Sequence, residues 1–260
     1  MRIQPEKFEL EKTSVWSFPE RGKWATHSGK FRGNWSPHIP RNILLRYSHE
    51  GDIVLDPMVG SGTSLIECKL TKRKGIGVDI NPDFIELARK NLVFETTEKL
   101  PSQKLKMGDA RTLSFLEDKS IDLILLHPPY TNVIKYSRGK IKEDLSNIYS
   151  IDKFCNEIEK VAREMYRVLK PNKYCAVLIG DVRRHRHYVP LAFRVMQRFL
   201  RAGFILKEDI IKHQWNTKTE VYWREKSKKY NFLLIMHEHL FVFRKSDEKE
   251  KTYKFKNSKL

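Results

Sequence analysis

Four consecutive residues, His127 to Tyr130, have groups suited to holding a flat ring that carries an amino group. Such an amine is a poor nucleophile because its lone pair is delocalised, so acceptors for its N–H bonds would activate it. Pro128 and Pro129 fix the backbone and leave the Pro128 carbonyl free to accept. The His127 imidazole, mostly neutral at pH 7, can accept a second hydrogen bond, and Tyr130 can stack on the ring. The alternative is a Pro-Pro turn after a core strand, capped by a structural histidine.

A glycine-rich turn lies upstream, in the segment DPMVGSGTS at 56–64. Gly60 and Gly62 allow a tight turn with an exposed backbone. Thr63 or Ser64 can begin a helix, whose first amides suit a carboxylate or a phosphate. The turn lacks the lysine of a phosphate-binding P-loop.

Three acidic residues, Asp56, Asp79 and Asp109, end three successive predicted strands. An acid after the second strand can accept hydrogen bonds from ribose hydroxyls. An acid after the third can accept from an adenine amino group. Each one alone could instead cap the helix that follows it. Together with the glycine turn, the three acids indicate a site for a ribonucleoside cofactor.

These residues are positioned by a repeated strand–helix alternation. Strands are predicted at 52–56, 75–79, 104–107, 121–126 and 174–180, and helices at 41–48, 63–70, 82–94, 151–170 and 189–203. This pattern favours a parallel sheet with helices on both faces. Two more strands, 204–211 and 239–245, have no helix predicted between them, which indicates an antiparallel hairpin at one edge of the sheet.

The chain is predicted to form one domain at 41–245 with two appendages. Residues 1–40 form an irregular leader, whose aromatic side chains either wall the pocket or, as favoured here, pack against the sheet: Trp24, His27, Phe31 and Trp35. Residues 246–260 form a Lys-rich tail that is expected to be disordered.

The net charge of the chain indicates which class of partner it binds. Fifty Lys and Arg against 32 Asp and Glu give a net charge of +18 and a pI near 9.7. Such a surface attracts polyanions, and nucleic acid is the commonest of these. A generally Lys-rich proteome, as in some thermophiles, is the alternative.

Two further features argue against a membrane partner and against a metal site. No run of 18 apolar residues and no secretory signal is present, so no membrane partner is expected. Cys68, Cys155 and Cys175 are scattered and form no CxxC pair, which indicates free thiols in a reducing cytoplasm. Neither a disulfide framework nor a metal site is expected.

Both motifs resemble those of one family. DPMVGSGTS is similar to the DPFxGSGT signature of the N4/N6 amino-methyltransferases, best known as DNA methylases, and HPPY to their [DSN]PPY motif. The similarity covers roughly residues 35–180, with closing strands beyond. It implies a Rossmann-like fold dependent on S-adenosylmethionine, with a mostly parallel seven-stranded sheet and a C-terminal antiparallel hairpin. His127 departs from the pattern, because the family has Asp, Ser or Asn there.

The resemblance also implies roles for individual residues. The catalytic motif is His127, Pro128, Pro129 and Tyr130. The cofactor would be held by Asp56, Pro57, Gly60, Ser61, Gly62, Thr63, Asp79, Ile80, Asp109, Ala110 and, from the segment before the first strand, Pro40. In the family the loop after HPPY covers the target base, so nucleic acid would meet Lys135, Tyr136 and Arg138 there. Independently of the resemblance, the RRHRH cluster follows the next strand at the same edge of the sheet as the site, so Arg183, Arg184 and Arg186 either contact the substrate or lie on a solvated surface.

The resemblance leaves the substrate open. The GSGT-type turn favours cytosine N4 over adenine N6. The chain has no room for a large target-recognition region, so structured RNA is narrowly favoured over DNA as the partner. Two other functions stay open: methylation of a glutamine side-chain amide in a protein, and nucleic-acid binding without catalysis.

Overall fold

The computed structural model describes residues 2–215, 220–247 and 249–259, apart from the side chain of Glu220. The strands are β1 Val15–Ser17, β2 Ile53–Asp56, β3 Lys74–Asp79, β4 Lys104–Met107, β5 Ile121–Leu126, β6 Leu169–Ile179, β7 Val182–Arg184, β8 His187–Val189, β9 Ile205–His213 and β10 His237–Arg244. The helices are α1 His38–Tyr47, α2 Thr63–Leu70, α3 Pro82–Asn91, α4 Ile151–Val168, α5 Leu191–Arg201 and α6 Glu220–Tyr230.

Eight strands form one sheet in the order β1-β9-β10-β6-β5-β2-β3-β4, and β7 pairs with β8 in a separate hairpin. Strands β2 to β6 pair in parallel, and β10 runs antiparallel to both β6 and β9. The predicted Rossmann-like fold, mostly parallel and with an antiparallel closing pair, is confirmed, although the sheet has eight strands and not the expected seven. No helix in the described part of the chain is long and apolar enough to cross a bilayer.

The central strands are apolar because both faces of the sheet are covered. All six residues of β5 are buried. Phe154 of α4 and Phe199 of α5 pack in the core on one face, while Ile43 and Leu44 of α1 pack in the core on the other. Burying side chains of this size contributes roughly 1.5–3 kcal/mol each, so the two cores hold the strand ends rigidly in place.

The leader and the tail are more ordered than expected. Part of the leader forms β1, which adds an eighth strand parallel to β9, with Trp16 buried beneath it. Arg244 of β10 pairs with Glu250 of the tail and lies 5.1 Å from the ring centroid of Phe255. These contacts fix the described part of the tail against the sheet, so the expectation of disorder was wrong there.

The segment between β9 and β10 contains helix α6, which the sequence analysis did not predict. Residues 220–230 have no apolar stripe at helical spacing, and Val221, Tyr222 and Trp223 are all exposed. A helix without an apolar face gives no periodic signal. Its helix-forming charged residues, such as the Glu225–Lys228 pair, favour the helix instead.

Candidate active site

The glycine turn and the HPPY motif open into one cavity at the carboxyl ends of the parallel strands. The first lies after β2 and the second after β5, which are neighbours in the sheet. The cavity is lined by Phe31, Gly33, Asn34, Trp35, Asp56, Pro57, Met58, Val59, Gly60, Ser61, Thr63, Asp79, Ile80, Asn81, Phe84, Gly108, Asp109, Ala110, His127, Pro129, Tyr136, Glu143, Asp144 and Leu145. Ligands of open parallel sheets bind at this edge.

The glycine turn presents a helix N-terminus to this cavity. Gly62 has a φ of +85° and is the N-cap of α2, so no side chain caps the helix. A Cβ at Gly62 would lie 3.2 Å from the Cβ of Ala88, so the absence of a side chain at Gly62 allows α3 to pack close to the turn. The first-turn amides of α2 have no partners within the helix and suit a carboxylate. This fits the amino-acid end of S-adenosylmethionine.

Two buried acids fix the turn. Asp79 accepts from the backbone N–H of Gly60 at 3.0 Å and from that of Asn81 at 2.9 Å. Asp56 accepts from the backbone N–H of Met58 at 3.1 Å. Burial raises the pKa of Asp56 to about 7 and that of Asp79 to about 6. Both carboxylates therefore change charge near neutrality.

Asp109 lines the cavity but has a strong partner of its own. Its carboxylate accepts from the Arg111 guanidinium, with 2.6 Å between Asp109 Oδ2 and the nearer terminal nitrogen. Arg111 also pairs with Glu157 at 2.5 Å. Ile80 and Ala110 lie in the cavity wall as expected, whereas Pro40 is buried in the first turn of α1 and does not line the cavity. The expected contact of Pro40 with the cofactor was wrong.

The HPPY motif is tied to the closing strands by a chain of hydrogen bonds. His127 Nε2 lies 3.0 Å from the Tyr130 hydroxyl, which donates to Glu238 Oε1 at 2.6 Å. Lys212 Nζ in turn lies 2.8 Å from Glu238 Oε2. Burial opposes ionisation of Glu238, but the positive charge of Lys212 and the hydrogen bonds from Lys212 and Tyr130 outweigh it, so its pKa lies below the usual value. Glu238 and Lys212 were not foreseen from the sequence.

This chain of hydrogen bonds fixes the tautomer of His127. Since the Tyr130 hydroxyl donates its proton to Glu238, its oxygen accepts from His127 Nε2–H, and Nδ1 keeps the free lone pair. Burial lowers the pKa of His127 to about 4. The imidazole is therefore neutral at pH 7, with one acceptor nitrogen.

Part of the leader walls the cavity and part of it packs on the domain. Trp35 stacks on His127, with 5.4 Å between ring centroids, and Phe31 also lines the cavity. Trp24 Nε1 and His27 Nε2 instead contact Glu67 Oε1, at 2.6 and 2.7 Å. Trp35 is also buried in the core with Ile39 and Leu125, so it both packs and lines the cavity, and the expectation of packing was wrong for Phe31 alone.

The loop after HPPY covers the cavity with one of its three expected residues. Tyr136 lines the cavity, with its ring centroid 6.1 Å from that of Phe31. Asp144 holds the loop by accepting from the backbone N–H of Ser137 at 3.0 Å. Lys135 and Arg138 are exposed outside the cavity.

Tyr130, the last residue of the HPPY motif, does not line this cavity but a second concavity, the hairpin groove. It has a volume of about 630 Å³ and is lined by Tyr130, Val133, Gly180, Asp181, Val182, Arg183, His185, Arg186, Gln214, Trp223, Tyr230, Phe232, Leu233, Leu234, Ile235, Met236 and His237. A Cβ at Gly180 would lie 2.7 Å from the Tyr130 ring, so only glycine allows the ring to lie there. Arg184 is outside the groove and binds Thr131 and Asn132 of the loop.

Two solved structures share this fold. A SAM-dependent methyltransferase from Methanosarcina mazei superposes with a TM-score of 0.56 and 17% identity over 79% of this chain and 98% of that one. The [4+2]-cyclase SpnF superposes with a TM-score of 0.54 and 14% identity over 84% and 85%. At this identity the two likenesses show the fold alone.

The chain belongs to the N6/N4 methyltransferase family, described as DNA methylase, whose profile matches residues 2–90 and 121–260. A general methyltransferase-domain profile matches residues 55–138. The family and the cofactor class expected from the two motifs are therefore confirmed.

Individual relatives match over shorter segments. The type II methyltransferase M.HpaI from Haemophilus parainfluenzae is 40% identical over 31% of this chain and 26% of its own length. M.MjaII from Methanocaldococcus jannaschii is 28% identical over 60% and 30%. The DNA adenine methyltransferase YhdJ from Escherichia coli is 30% identical over 46% and 42%. The chain thus spans less than half the length of each of these relatives.

Proposed function

We propose that the protein transfers a methyl group from S-adenosylmethionine directly to an exocyclic amino group of a nucleic-acid base, with cytosine N4 favoured, in structured RNA. The observation that carries this proposal is the shared cavity, in which Gly60 and Ser61 line one part and His127 and Pro129 another. A cofactor bound at the turn would present its methyl group to an amine held at the motif.

The cofactor supplies the electrophilic methyl group, and the protein supplies its position. The α2 N-terminus would hold the amino-acid end, and Asp79 would accept from the ribose hydroxyls. Ile80 and Ala110, which line the cavity, would contact the adenine. Since the Asp109 carboxylate is held by Arg111, the adenine amino group would bind a lone pair that this ion pair leaves free.

Acceptors for both N–H bonds activate the target amine. His127 Nδ1 and the Pro128 carbonyl accept them, which favours a pyramidal nitrogen with its lone pair toward the methyl group. Tyr130 stacks on the base and, by donating to Glu238, sets the tautomer that makes Nδ1 an acceptor. A neutral histidine thus does the work of the Asp, Ser or Asn that stands at this position in the family pattern.

The hairpin groove gives the nucleic acid a path to the motif. Arg186 lies over the Tyr230 ring at 4.1 Å, and Arg183 lies 4.9 Å from the Phe232 ring centroid. Trp223 also lines the groove, with 47% of its surface exposed. Basic side chains beside exposed aromatic rings are typical of surfaces that bind unpaired nucleotides. The net charge of +18 supports a polyanionic substrate.

Structured RNA is favoured because the elements described outside the core are all short: the leader, the β7–β8 hairpin, helix α6 and the tail. None of these is built to fill a DNA groove and read base edges. DNA is the second candidate, since relatives of this chain are named as a DNA adenine methyltransferase and as type II methyltransferases.

The proposed compartment is the reducing cytoplasm, because the three cysteines are buried free thiols.

The experiment is methyl transfer from radiolabelled S-adenosylmethionine to separate RNA, DNA and protein fractions, followed by nucleoside analysis. We expect label in RNA, recovered as N4-methylcytidine. A Tyr130→Ala variant should bind the cofactor as the parent does but transfer almost no label. Label in DNA would move the proposal to the second candidate. Label in protein alone, surviving nuclease treatment, would refute a nucleic-acid substrate and favour a glutamine amide.

A further inference from the structure

Three potential metal ligands converge on one face of the sheet, next to the hairpin groove. Asp181, His237 and His239 each place one ligand atom within 4.8 Å of the other two. Asp181 and His239 are buried, and His237 is half-buried. None of the three takes part in the hydrogen bonds that link His127 to Glu238.

The strand register brings these ligands together. Side chains two apart on a strand share a face, so His237 and His239 of β10 point the same way and Glu238 points the other way. His239 lies opposite Ile179 of β6 in an antiparallel pair. Asp181 follows Ile179 by two residues, which brings it opposite His237 and diagonal to His239.

A fourth residue orients His239 for coordination. Its Nδ1 lies 3.0 Å from the Asp209 carboxylate, which leaves Nε2 directed at the cluster. Nε2 is 3.7 Å from Asp181 Oδ2, too far for a hydrogen bond, although His239 is only 4% exposed. A carboxylate bound to one imidazole nitrogen while the other faces an ion is the usual arrangement behind a metal-binding histidine.

Two hydrogen bonds also orient the carboxylate of Asp181. Oδ1 accepts from the backbone N–H of Ala192 at 2.8 Å, and Oδ2 accepts from the Tyr188 hydroxyl. Each carboxylate oxygen keeps a second lone pair that can coordinate an ion. Since Tyr188 belongs to β8, an ion on Asp181 would also stabilise the hairpin that carries Arg183 and Arg186.

We propose that His237, His239 and Asp181 bind a divalent transition-metal ion, Zn²⁺ in particular. Two imidazoles with one carboxylate select such an ion over Mg²⁺ or Ca²⁺, which prefer oxygen ligands alone. In a tetrahedral site with bonds near 2.0 Å, ligand atoms lie about 3.3 Å apart. The 3.7 Å between His239 Nε2 and Asp181 Oδ2 needs a small adjustment, and the ligand atom of His237, within 4.8 Å of the other two, would have to move up to about 1.5 Å closer. The fourth position would face the groove, which Asp181 and His237 both line.

The test uses the full chain without an affinity tag, stripped of metal with a chelator. Zn²⁺ is titrated against a chromophoric chelator, and Co²⁺ is titrated while the visible absorption of a tetrahedral complex is recorded. We expect one equivalent of each ion to bind, and Zn²⁺ to raise the melting temperature, because an ion that binds only the folded state stabilises it.

Three variants locate the site. Asp209→Asn should weaken Zn²⁺ binding about 10- to 100-fold by releasing the orientation of His239. His237→Ala should weaken it more, and its half-buried position makes the change tolerable for the fold. His49→Ala, on an exposed histidine after α1, should bind as the parent does. The proposal is overturned if the parent binds no stoichiometric ion, or if His237→Ala binds Zn²⁺ as tightly as His49→Ala.

Discussion

Cofactor binding is expected to weaken as the pH falls through 6, because Asp79 accepts from the ribose hydroxyls best as a carboxylate. Burial raises its pKa to about 6. Its ionised fraction then falls from about 90% at pH 7 to about 10% at pH 5, so the Kd should rise about tenfold, equivalent to about 1.4 kcal/mol. The same change leaves His127 neutral, since burial lowers its pKa to about 4.

Equilibrium dialysis with labelled S-adenosylmethionine at pH 5, 6, 7 and 8, at constant ionic strength, measures this effect. Asp79→Asn is the matched control, because it keeps the shape of the side chain and cannot titrate. Asp56, whose pKa burial raises to about 7, still titrates in both proteins. The Kd of the parent should therefore rise about tenfold more than that of the variant between pH 7 and 5. Parallel pH profiles for the two proteins would refute the role of Asp79.

Three further results are expected. Asp56→Asn should stabilise the fold by up to about 4 kcal/mol at pH 8, measured by urea unfolding. Because the pKa of Asp56 is raised to about 7, the folded protein binds more protons than the unfolded chain between pH 3.8 and about 7, and it loses stability as the pH rises through that window. No gain in stability at pH 8 would contradict this. Glu238→Gln should lower kcat about 10- to 100-fold by loosening Tyr130, without changing the cofactor Kd, and a changed Kd with an unchanged kcat would be the contrary result. Trp223→Ala should weaken binding of a single-stranded oligonucleotide about tenfold in a fluorescence assay, whereas Tyr253→Ala, an exposed aromatic of the tail, should have no effect.

Local motifs were predictable because their chemistry depends on neighbours in the chain. The turn at Gly60 and Gly62 and the HPPY motif follow strands with strong apolar patterns, and parallel strands bring their carboxyl ends to one edge. Glu238 was missed because its contact with Tyr130 spans 108 residues of chain and depends on the register of an antiparallel strand. No pattern near Glu238 specifies that register. Helix α6 was missed for the opposite reason, since a helix without an apolar face leaves no period to detect.

The leader shows where a family pattern transfers imperfectly. The resemblance implied a cofactor contact at Pro40, but that residue lies in the first turn of α1. Trp35, five residues earlier, reaches the cavity and stacks on His127. An aromatic ring against the imidazole excludes water and lowers the pKa of the histidine. A carboxylate at position 127 would tolerate this exclusion of water less well than a neutral imidazole does. The histidine and the leader tryptophan are therefore best understood as a pair.

Strand β10 serves two sites at once because its side chains alternate between the faces of the sheet. Glu238 faces Tyr130 and Lys212, while His237 and His239 face the opposite layer. The two sites should therefore be separable by single substitutions. Glu238→Gln should leave the Zn²⁺ affinity unchanged, and Asp209→Asn, at a residue that does not line the groove, should leave kcat in the metal-free protein unchanged. If either substitution altered both properties equally, the two faces of β10 would be acting as one site, and the assignment of separate roles would fail.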